Sequence, residues 1–287
     1  MLIIQSIILG LIQGITEFIP ISSSAHLIIV PWLFGWTDPV LQSLTFDIAL
    51  HLGTLLALIV FFAADWVRLI GAWFKSIFQF KIGSDSDRRL AWFIVLACIP
   101  GAIAGVLLEG KIEAVFHPEG APISAGSMIA MAVIIALLAV LLFLSDRLAR
   151  HERPIGAMKW KDSILIGLSQ ALAIFPGVSR SGSTITTGLA LGLQREAAAR
   201  FSFLLSAPII AGAGLKSLVD LLQSVKAGAI TGTELTLFPI GFVVAALSGF
   251  LCIKFLLRYL QKHTAAVFVY YRWALAVLIA VVALVRR

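Results

Sequence analysis

The stretch Gly10-Leu-Ile-Gln-Gly-Ile-Thr-Glu-Phe-Ile-Pro-Ile-Ser-Ser-Ser24 has a related copy 157 positions later in the same chain, and this repeat decides the fold. The second copy reads Gly167-Leu-Ser-Gln-Ala-Leu-Ala-Ile-Phe-Pro-Gly-Val-Ser-Arg-Ser181. Six of the fifteen positions are identical: Gly10/Gly167, Leu11/Leu168, Gln13/Gln170, Phe18/Phe175, Ser22/Ser179 and Ser24/Ser181. In both copies a short apolar helix is broken by proline and followed by hydroxyl side chains. The repeat predicts two related halves, with a functional site where both become polar.

The composition is that of an integral membrane protein. Hydrophobic residues make up 60% of the chain and charged residues 13%, and the mean hydropathy is +1.02. Uncharged runs of about 20 residues are long enough to cross a bilayer as helices, and their continuity argues against alternating barrel strands. We predict spans at 46–64, 90–108, 124–145, 201–224, 236–257 and 265–285. The N-terminus lacks a basic leader region and already carries the repeat, so we expect no cleaved signal peptide.

The distribution of basic residues explains the net charge of +7 without a nucleic-acid partner. Segments 65–90 and 146–162 each carry five Lys or Arg residues, whereas segment 109–123 carries one lysine and three glutamates. Basic loops stay on the cytoplasmic side of a membrane. We therefore expect the first two segments inside the cell and the third outside.

Counting the spans predicts the fold class, which is an all-α polytopic membrane protein with two inverted-topology repeats. Each half holds one motif segment and three spans, and because three is odd the second half is inserted upside down. We interpret the motif segments as re-entrant helical hairpins that enter from opposite faces, with ordinary proline-kinked spans as the alternative. The predicted boundaries, within one integral-membrane domain, are a first repeat at 1–145 with its hairpin at 2–45, a basic cytoplasmic linker at 146–162, and a second repeat at 163–287 with its hairpin at 163–193.

The first motif places an ionisable group and several hydroxyls at membrane depth. Gln13 and Glu17 are four residues apart, so they share one face of a helix. A carboxylate inside a membrane segment indicates a functional site, because burying it unpaired is costly. The serines at 22–24 can cap the next helix, and with His26 at the same level they then face the cavity. A helix cap alone would need only one serine.

The second motif, residues 176–184, is suited to bind an anion. Gly177 and Gly182 let the backbone approach a ligand closely, and the helix start beyond them offers free N–H groups. Arg180 adds a permanently charged planar fork that matches phosphate. With the groups of the first motif it forms a set suited to phosphoryl transfer, in which one group takes a proton, one attacks and one neutralises charge. A purely structural ion pair between Glu17 and Arg180 is the alternative interpretation.

Other polar residues give weaker signals. Asp47 and His51 share a helix face and can reach the cavity, or they mark the external start of a helix. Cys98 and Cys252 lie within apolar spans, and we interpret them as core residues without a disulfide or metal role. The sequence contains no zinc-type His/Cys spacing and no Walker or dinucleotide fingerprint.

In these motifs the chain resembles the undecaprenyl-pyrophosphate phosphatase family, the bacterial bacitracin-resistance proteins. The likeness is carried by residues 13–26 and 176–184, and it extends to chain length, span layout and the segment Phe201-Ser-Phe-Leu-Leu. The resemblance implies a hydrolase that converts undecaprenyl pyrophosphate to undecaprenyl phosphate and inorganic phosphate, which recycles the cell-wall carrier lipid and confers bacitracin resistance. It further implies a divalent cation, Mg²⁺ or Ca²⁺, and a site facing the outside of the bacterial plasma (inner) membrane. The oligomeric state stays open, with a homodimer as one option.

The resemblance also implies roles for individual residues. Glu17 would act as metal ligand or base, Ser23 as nucleophile and His26 in proton transfer, while Arg180 would bind the pyrophosphate. The predicted substrate-binding residues are Gln13, Ser22, Ser24, Gly177, Ser179, Ser181 and Thr184. Gln13 stands where many members of the family carry glutamate, which puts a mechanism with two carboxylates in doubt for this chain. Attack by serine or directly by water stays open.

A rival function comes from the predicted architecture itself. Inverted repeats with broken helices are typical of secondary transporters. A transporter or flippase of a phosphorylated lipid is therefore the alternative to the hydrolase.

Overall fold

The computed structural model describes residues 1–116, 123–226 and 232–286, and within these ranges the chain folds into α-helices without a β-strand. The helices are α1 Leu2–Thr16, α2 Ser23–Phe34, α3 Leu44–Phe61, α4 Ala63–Phe78, α5 Ser86–Phe116, α6 Ala125–Leu148, α7 Trp160–Ala171, α8 Arg180–Ala190, α9 Arg195–Lys226, α10 Gly232–Leu260 and α11 Ala266–Val285. Two 3₁₀ turns, Ile155–Ala157 and Leu172–Ile174, flank α7. The prediction of an all-α protein is confirmed.

Six helices in the described part of the chain are long and apolar enough to cross a membrane. These segments are Leu44–Phe61, Ser86–Leu108, Ala125–Leu148, Arg195–Gly214, Leu235–Leu260 and Ala266–Val285. Each coincides with one of the predicted spans, so the polytopic prediction is confirmed. Residues 117–122 of the segment that we predict to be external lie outside the described residues.

The helices of the two motifs are shorter than these spans. The first helix of each motif, α1 and α7, has 15 and 12 residues, and the second, α2 and α8, has 12 and 11. At about 1.5 Å per residue, even α1 is only about 22 Å long, less than the roughly 30 Å of a hydrocarbon core. Each pair is separated by a break that contains proline, which lacks an N–H donor and clashes with the preceding helical turn.

Glycines let the first helix of each motif pack closely on a long helix from the other half of the chain. On α1, a Cβ at Gly14 would lie 2.6 Å from the carbonyl oxygen of Ala245 in α10. On α7, a Cβ at Gly167 would lie 2.7 Å from the carbonyl oxygen of Ala97 in α5. Close backbone approach through small residues is a main source of helix association in membranes. Each motif is therefore held in place by the opposite half.

The close contact of Gly14 with α10 leads to a prediction about stability. We expect Gly14→Ala to lower the free energy of unfolding by about 1–3 kcal/mol, the usual cost of overpacking, because the backbone of α10 cannot yield to the added methyl group. Thermal and denaturant unfolding of the purified protein in detergent measures the change. Gly105→Ala on α5 is the matched control, since a Cβ there meets nothing within 4 Å. Equal stability of the two variants would contradict the packing argument.

The largest buried apolar cluster lies against the first motif. Phe18 is 1% exposed and meets Phe203 of α9 edge to face, with ring centroids 5.3 Å apart. Phe201, Leu204 and Leu205 are also fully buried in this cluster. The Phe201-Ser-Phe-Leu-Leu segment thus forms the apolar support of the first motif loop, and it packs α9 of the second half against that loop.

Candidate active site

Both proline breaks lead into the next helix through a serine with an unusual backbone conformation. Ser22 has φ 78° and ψ 96°, and Ser179 has φ 70° and ψ 116°. A positive φ strains a non-glycine residue by about 1–3 kcal/mol and persists only where its surroundings hold it. Each serine Oγ caps its helix by accepting a backbone N–H, from Ala25 at 3.4 Å and from Gly182 at 3.0 Å. Equivalent positions of the sequence repeat therefore adopt the same strained cap.

Glu17 connects the two motifs. Its Oε1 accepts a hydrogen bond from Arg180 Nη2 at 2.9 Å, across 163 positions of sequence. Its Oε2 accepts one from Ser23 Oγ at 2.6 Å and another from Gln13 Nε2 at 3.0 Å. The side chains of Glu17 and Arg180 are only 4% and 18% exposed. Ser23 and Arg180 are each the first residue after a strained cap, so the caps set where these two side chains begin.

His51 also reaches this carboxylate. Its Nε2 lies 3.7 Å from Glu17 Oε2, and its Nδ1 lies 2.7 Å from the carbonyl oxygen of Asp47. Because a carbonyl only accepts, Nδ1 carries a proton and Nε2 is the nitrogen that faces the carboxylate. The spacing of Asp47 and His51 on one helix face was the signal that indicated this approach, although His51 is not among the site residues predicted above.

His26 belongs to a separate group of contacts. Its Nδ1 donates to the carbonyl oxygen of Ser22 at 2.6 Å, and its Nε2 lies 2.7 Å from the hydroxyl of Tyr271. With the proton on Nδ1, a neutral imidazole accepts a hydrogen bond from the tyrosine hydroxyl at Nε2. The two rings stack with centroids 5.7 Å apart. Sequence reasoning missed Tyr271, which is 245 positions from His26 and belongs to no motif.

The remaining hydroxyls form repeated pairs at the two caps. Ser22 Oγ lies 3.3 Å from Ser24 Oγ, and Ser179 Oγ lies 3.2 Å from Ser181 Oγ. Ser181 Oγ also donates to the carbonyl oxygen of Ile19 at 3.1 Å, which joins the second motif to the first. These serines surround the turn where Glu17, Ser23 and Arg180 meet.

Thr184 is buried against α9. It is 1% exposed, its Oγ1 donates to the carbonyl oxygen of Arg180 at 2.7 Å, and it lies 2.7 Å from Ser202 Oγ. In this arrangement the threonine ties the first turn of α8 to α9. Arg180 is held from the same side, because its Nη1 donates to the carbonyl oxygen of Ser206 at 3.4 Å.

Gly177 contributes backbone to the site. Its φ is 96°, which glycine adopts without strain, and its carbonyl oxygen accepts a hydrogen bond from Arg272 Nη2 at 2.9 Å. A Cβ at this position would lie 3.2 Å from the carbonyl oxygen of Met131 on α6. Glycine is therefore needed here both for the turn and for close packing.

These contacts define what the site can do. A serine hydroxyl 2.6 Å from a carboxylate can lose its proton to that carboxylate as the oxygen attacks an electrophile. The guanidinium beside the same carboxylate can bind phosphate oxygens and neutralise the charge that builds up on them. The site is therefore suited to transfer or hydrolyse a phosphoryl group.

The oxygen donors fit a divalent cation that is shared with a substrate. Among the described residues there is no group of three or more His, Cys, Asp or Glu side chains able to hold a metal alone. Mg²⁺ commonly binds one or two carboxylates together with substrate phosphates. Glu17 supplies a carboxylate, and Gln13 Oε1 is a buried oxygen with no hydrogen-bond partner among residues 1–116, 123–226 and 232–286. A hard cation would satisfy that oxygen.

The fold and the site place this protein in a class: it is an all-α multi-pass membrane protein whose polar site is built from two copies of one motif. The family model described as bacitracin resistance protein BacA matches residues 6–278. This chain belongs to that family.

Curated relatives agree with the family match along the full chain. The undecaprenyl-diphosphatase of Thermomicrobium roseum is 43% identical over 278 residues, which cover 97% of each chain. That of Moorella thermoacetica is 46% identical over 288 residues and covers both chains completely. That of Methanobrevibacter smithii is 42% identical over 284 residues, or 96% of each chain.

Proposed function

We propose that this protein is an undecaprenyl-diphosphatase, which hydrolyses undecaprenyl pyrophosphate to undecaprenyl phosphate and inorganic phosphate. The reaction recycles the cell-wall carrier lipid and thereby confers bacitracin resistance. The observation that carries the proposal is the contact of Glu17 with both Ser23 and Arg180 at the junction of the two motifs. The family match and the names of the relatives support the same reaction.

The proposed mechanism begins with Arg180. Its guanidinium binds the diphosphate, with Ser22, Ser24, Ser179 and Ser181 as further donors around the turn. Ser23 Oγ attacks the terminal phosphorus, its proton passes to Glu17, and the bond to the bridging oxygen breaks.

The lipid monophosphate leaves in that step with the proton that Glu17 received, so the carboxylate is ionised again while the phosphoryl group stays on the serine. Water then attacks the phosphoserine and loses a proton to Glu17, which passes that proton to the departing Ser23 oxygen as inorganic phosphate is released. The close Ser23–Glu17 hydrogen bond of 2.6 Å favours serine over direct attack by water.

We further propose that Glu17 and Gln13 share a divalent cation, Mg²⁺ or Ca²⁺, with the substrate. Bound there, the cation would neutralise charge on the phosphate oxygens. The unpartnered Gln13 Oε1 supports this assignment. One carboxylate and one amide oxygen would then serve where the family often has two carboxylates.

Removal of the cation gives a direct prediction. Exhaustive chelation with EDTA is expected to lower phosphate release by at least about tenfold, because neutralisation by a metal ion contributes several kcal/mol to such transition states. Excess Mg²⁺ or Ca²⁺ should restore the rate. EDTA added together with an excess of Mg²⁺ is the control. An unchanged rate after chelation would contradict the cation assignment and leave the hydrolase proposal standing.

For the architecture we propose two inverted repeats with the boundaries predicted from the sequence. The matching caps at Ser22 and Ser179, the short helices of both motifs and the exchange of partners between halves support this arrangement. In it, two re-entrant hairpins enter from opposite faces and meet near the bilayer midplane. The lipid tail then stays in the bilayer while the headgroup enters the polar turn.

We propose that the site opens to the outside of a bacterial plasma membrane. The basic segments 65–90 and 146–162 would lie in the cytoplasm, as expected for loops rich in Lys and Arg. Labelling of single cysteines in the loops of intact cells tests this orientation.

The decisive experiment measures phosphate release from a polyprenyl diphosphate by the purified protein in detergent. Steady release that depends on Glu17 and Arg180 would support the hydrolase. The repeat architecture favours a transporter or flippase as the second candidate. Labelled lipid that crosses vesicle membranes while the diphosphate stays intact would establish that candidate and overturn the hydrolase.

A further inference from the structure

Arg272 of α11 is a buried cation outside both motifs. The residue is 1% exposed and is one of the largest fully buried side chains in the described part of the chain. No carboxylate among the described residues forms an ion pair with it. A buried charge is costly unless hydrogen bonds compensate for it. The hydrogen bonds of the guanidinium therefore indicate the role of this residue.

Within the described residues, the guanidinium donates three hydrogen bonds, and all three go to backbone carbonyls. Nη1 donates to Pro20 at 3.0 Å, Nη2 donates to Gly177 at 2.9 Å, and Nε donates to Ile135 of α6 at 3.1 Å. Pro20 and Gly177 are 157 positions apart, so they are equivalent positions of the sequence repeat. One guanidinium thus spans the junction between the two motif loops and anchors both to α6.

The clamped carbonyls stand close to the strained caps in sequence. Each lies two residues before the positive-φ serine of its loop and three residues before Ser23 or Arg180. Carbonyls at a helix break have no partner within the helix and need an outside donor. A planar guanidinium can serve two of them at once in a fixed geometry, whereas a lysine ammonium presents only a point charge.

Gly182 makes room for this arrangement. A Cβ at Gly182 would lie 3.0 Å from Arg272 Nη1 and 2.9 Å from Ser179 Cβ. The glycine in the second motif thus has a packing reason in addition to any approach to a ligand. It leaves the space that the arginine occupies behind the second cap.

We propose that Arg272 is a positioning residue, which clamps the two motif loops to each other so that Ser23 and Arg180 are both held on Glu17. This inference rests on the proposed hydrolase function and names a residue outside both motifs on which that site depends. Arg272 touches neither substrate nor reacting atoms in this scheme; it acts through the two loops.

The test compares Arg272→Met and Arg272→Lys with a control at the C-terminal end of the same helix, Arg286. Arg286 also donates to two carbonyls, Trp32 at 2.6 Å and Leu33 at 2.9 Å, but these lie at the far end of α2 and not in a motif loop. We expect Arg272→Met to lower kcat by about 100-fold, the loss that a misplacement of about 1 Å produces. KM should change little, Arg272→Lys should recover part of kcat, and Arg286→Met should resemble the wild type.

A double-mutant cycle separates positioning from general destabilisation. If Arg272 acts by placing Ser23, the Arg272→Met change should cost little more once Ser23→Ala has removed the hydroxyl. If Arg272→Met only impaired folding, its fold loss in kcat would multiply with the fold loss caused by Ser23→Ala. Full multiplication of the two losses, or a kcat of Arg272→Met within threefold of the wild type, would overturn the proposal.

Hydrogen exchange of segments 17–25 and 175–183 provides a readout that needs no activity. Both segments should exchange faster in Arg272→Met, while Arg286→Met leaves them unchanged. Unchanged exchange in Arg272→Met would overturn the clamp even if the wild type hydrolyses the lipid. Faster exchange in a protein whose wild type releases no phosphate would support the clamp and overturn the proposed function.

Discussion

Arg180→Ala is expected to lower turnover of undecaprenyl pyrophosphate by at least about 10³-fold, the lower end of what a phosphate-neutralising arginine contributes. The guanidinium lies 2.9 Å from Glu17 and donates a hydrogen bond to the carbonyl oxygen of Ser206, so it is already in place before a substrate enters. Its removal takes away the one permanent cation that contacts the carboxylate in the described part of the chain. KM should rise and kcat should fall, because the charge is needed to bind the diphosphate and to stabilise its transition state.

Two further variants sharpen this result. Arg180→Lys keeps the charge but loses the planar fork, so we expect an intermediate rate. Arg200→Ala is the matched control, since Arg200 of α9 pairs with Asp65 of α4 at 2.6 Å and lies outside both motifs. Its rate should stay within about twofold of the wild type, because this pair contacts none of the site residues. Wild-type turnover in Arg180→Ala would refute the site assignment for hydrolase and transporter alike.

Glu17→Gln is expected to reduce kcat by about 10²–10⁴-fold, which is the contribution of a positioned general base. The amide has nearly the shape of the carboxylate, so the site should accept it without repacking. It cannot take the proton of Ser23. Arg180 loses a competing anion, and with Mg²⁺ at saturation the proposed cation site stays filled, so KM should stay equal or fall. Steady-state kinetics in detergent separates the two constants.

This split distinguishes the roles of the two residues. Arg180→Ala should raise KM, whereas Glu17→Gln should not. The matched control is Glu196→Gln, a carboxylate in the first turn of α9 that lies outside both motifs. Comparable losses in Glu17→Gln and Glu196→Gln would show that the effect is not specific to the site, and a rise of KM in Glu17→Gln would contradict the assignment of Glu17 to proton transfer.

Much of the fold follows from patterns that are local in sequence. Runs of about 20 apolar residues predict helices that cross a bilayer, and all six predicted spans coincide with apolar helices of the structure. The motifs stand out for a similar reason, because Glu17, the serines at 22–24 and Arg180 interrupt an apolar chain where polar groups are costly. The insertion of the halves in opposite directions stays a prediction from the parity of the spans and the charges of the loops.

The contact residues that were not predicted from the sequence belong to no motif or repeat. Tyr271 and Arg272 sit in an apolar helix near the C-terminus, and their partners His26, Pro20 and Gly177 lie between 95 and 252 positions away. Thr184 fits the second motif as a ligand, yet its hydroxyl is turned to Ser202. Only the packing of α8, α9 and α11 decides these contacts.

Local patterns were enough to predict the type of site, the helices and the two copies of the motif. Composition, hydropathy and repeats can be read from the linear order of the residues, because each extends over a few residues or one helix. Which groups touch depends on the packing of the helices: Ser23 and Arg180 contact Glu17, and Arg272 lies between the two loops. Contacts across more than 150 positions depend on how helices pack against one another. Small residues such as Gly14 and Gly167 allow this close packing, but their positions in the sequence do not indicate which helix will pack there.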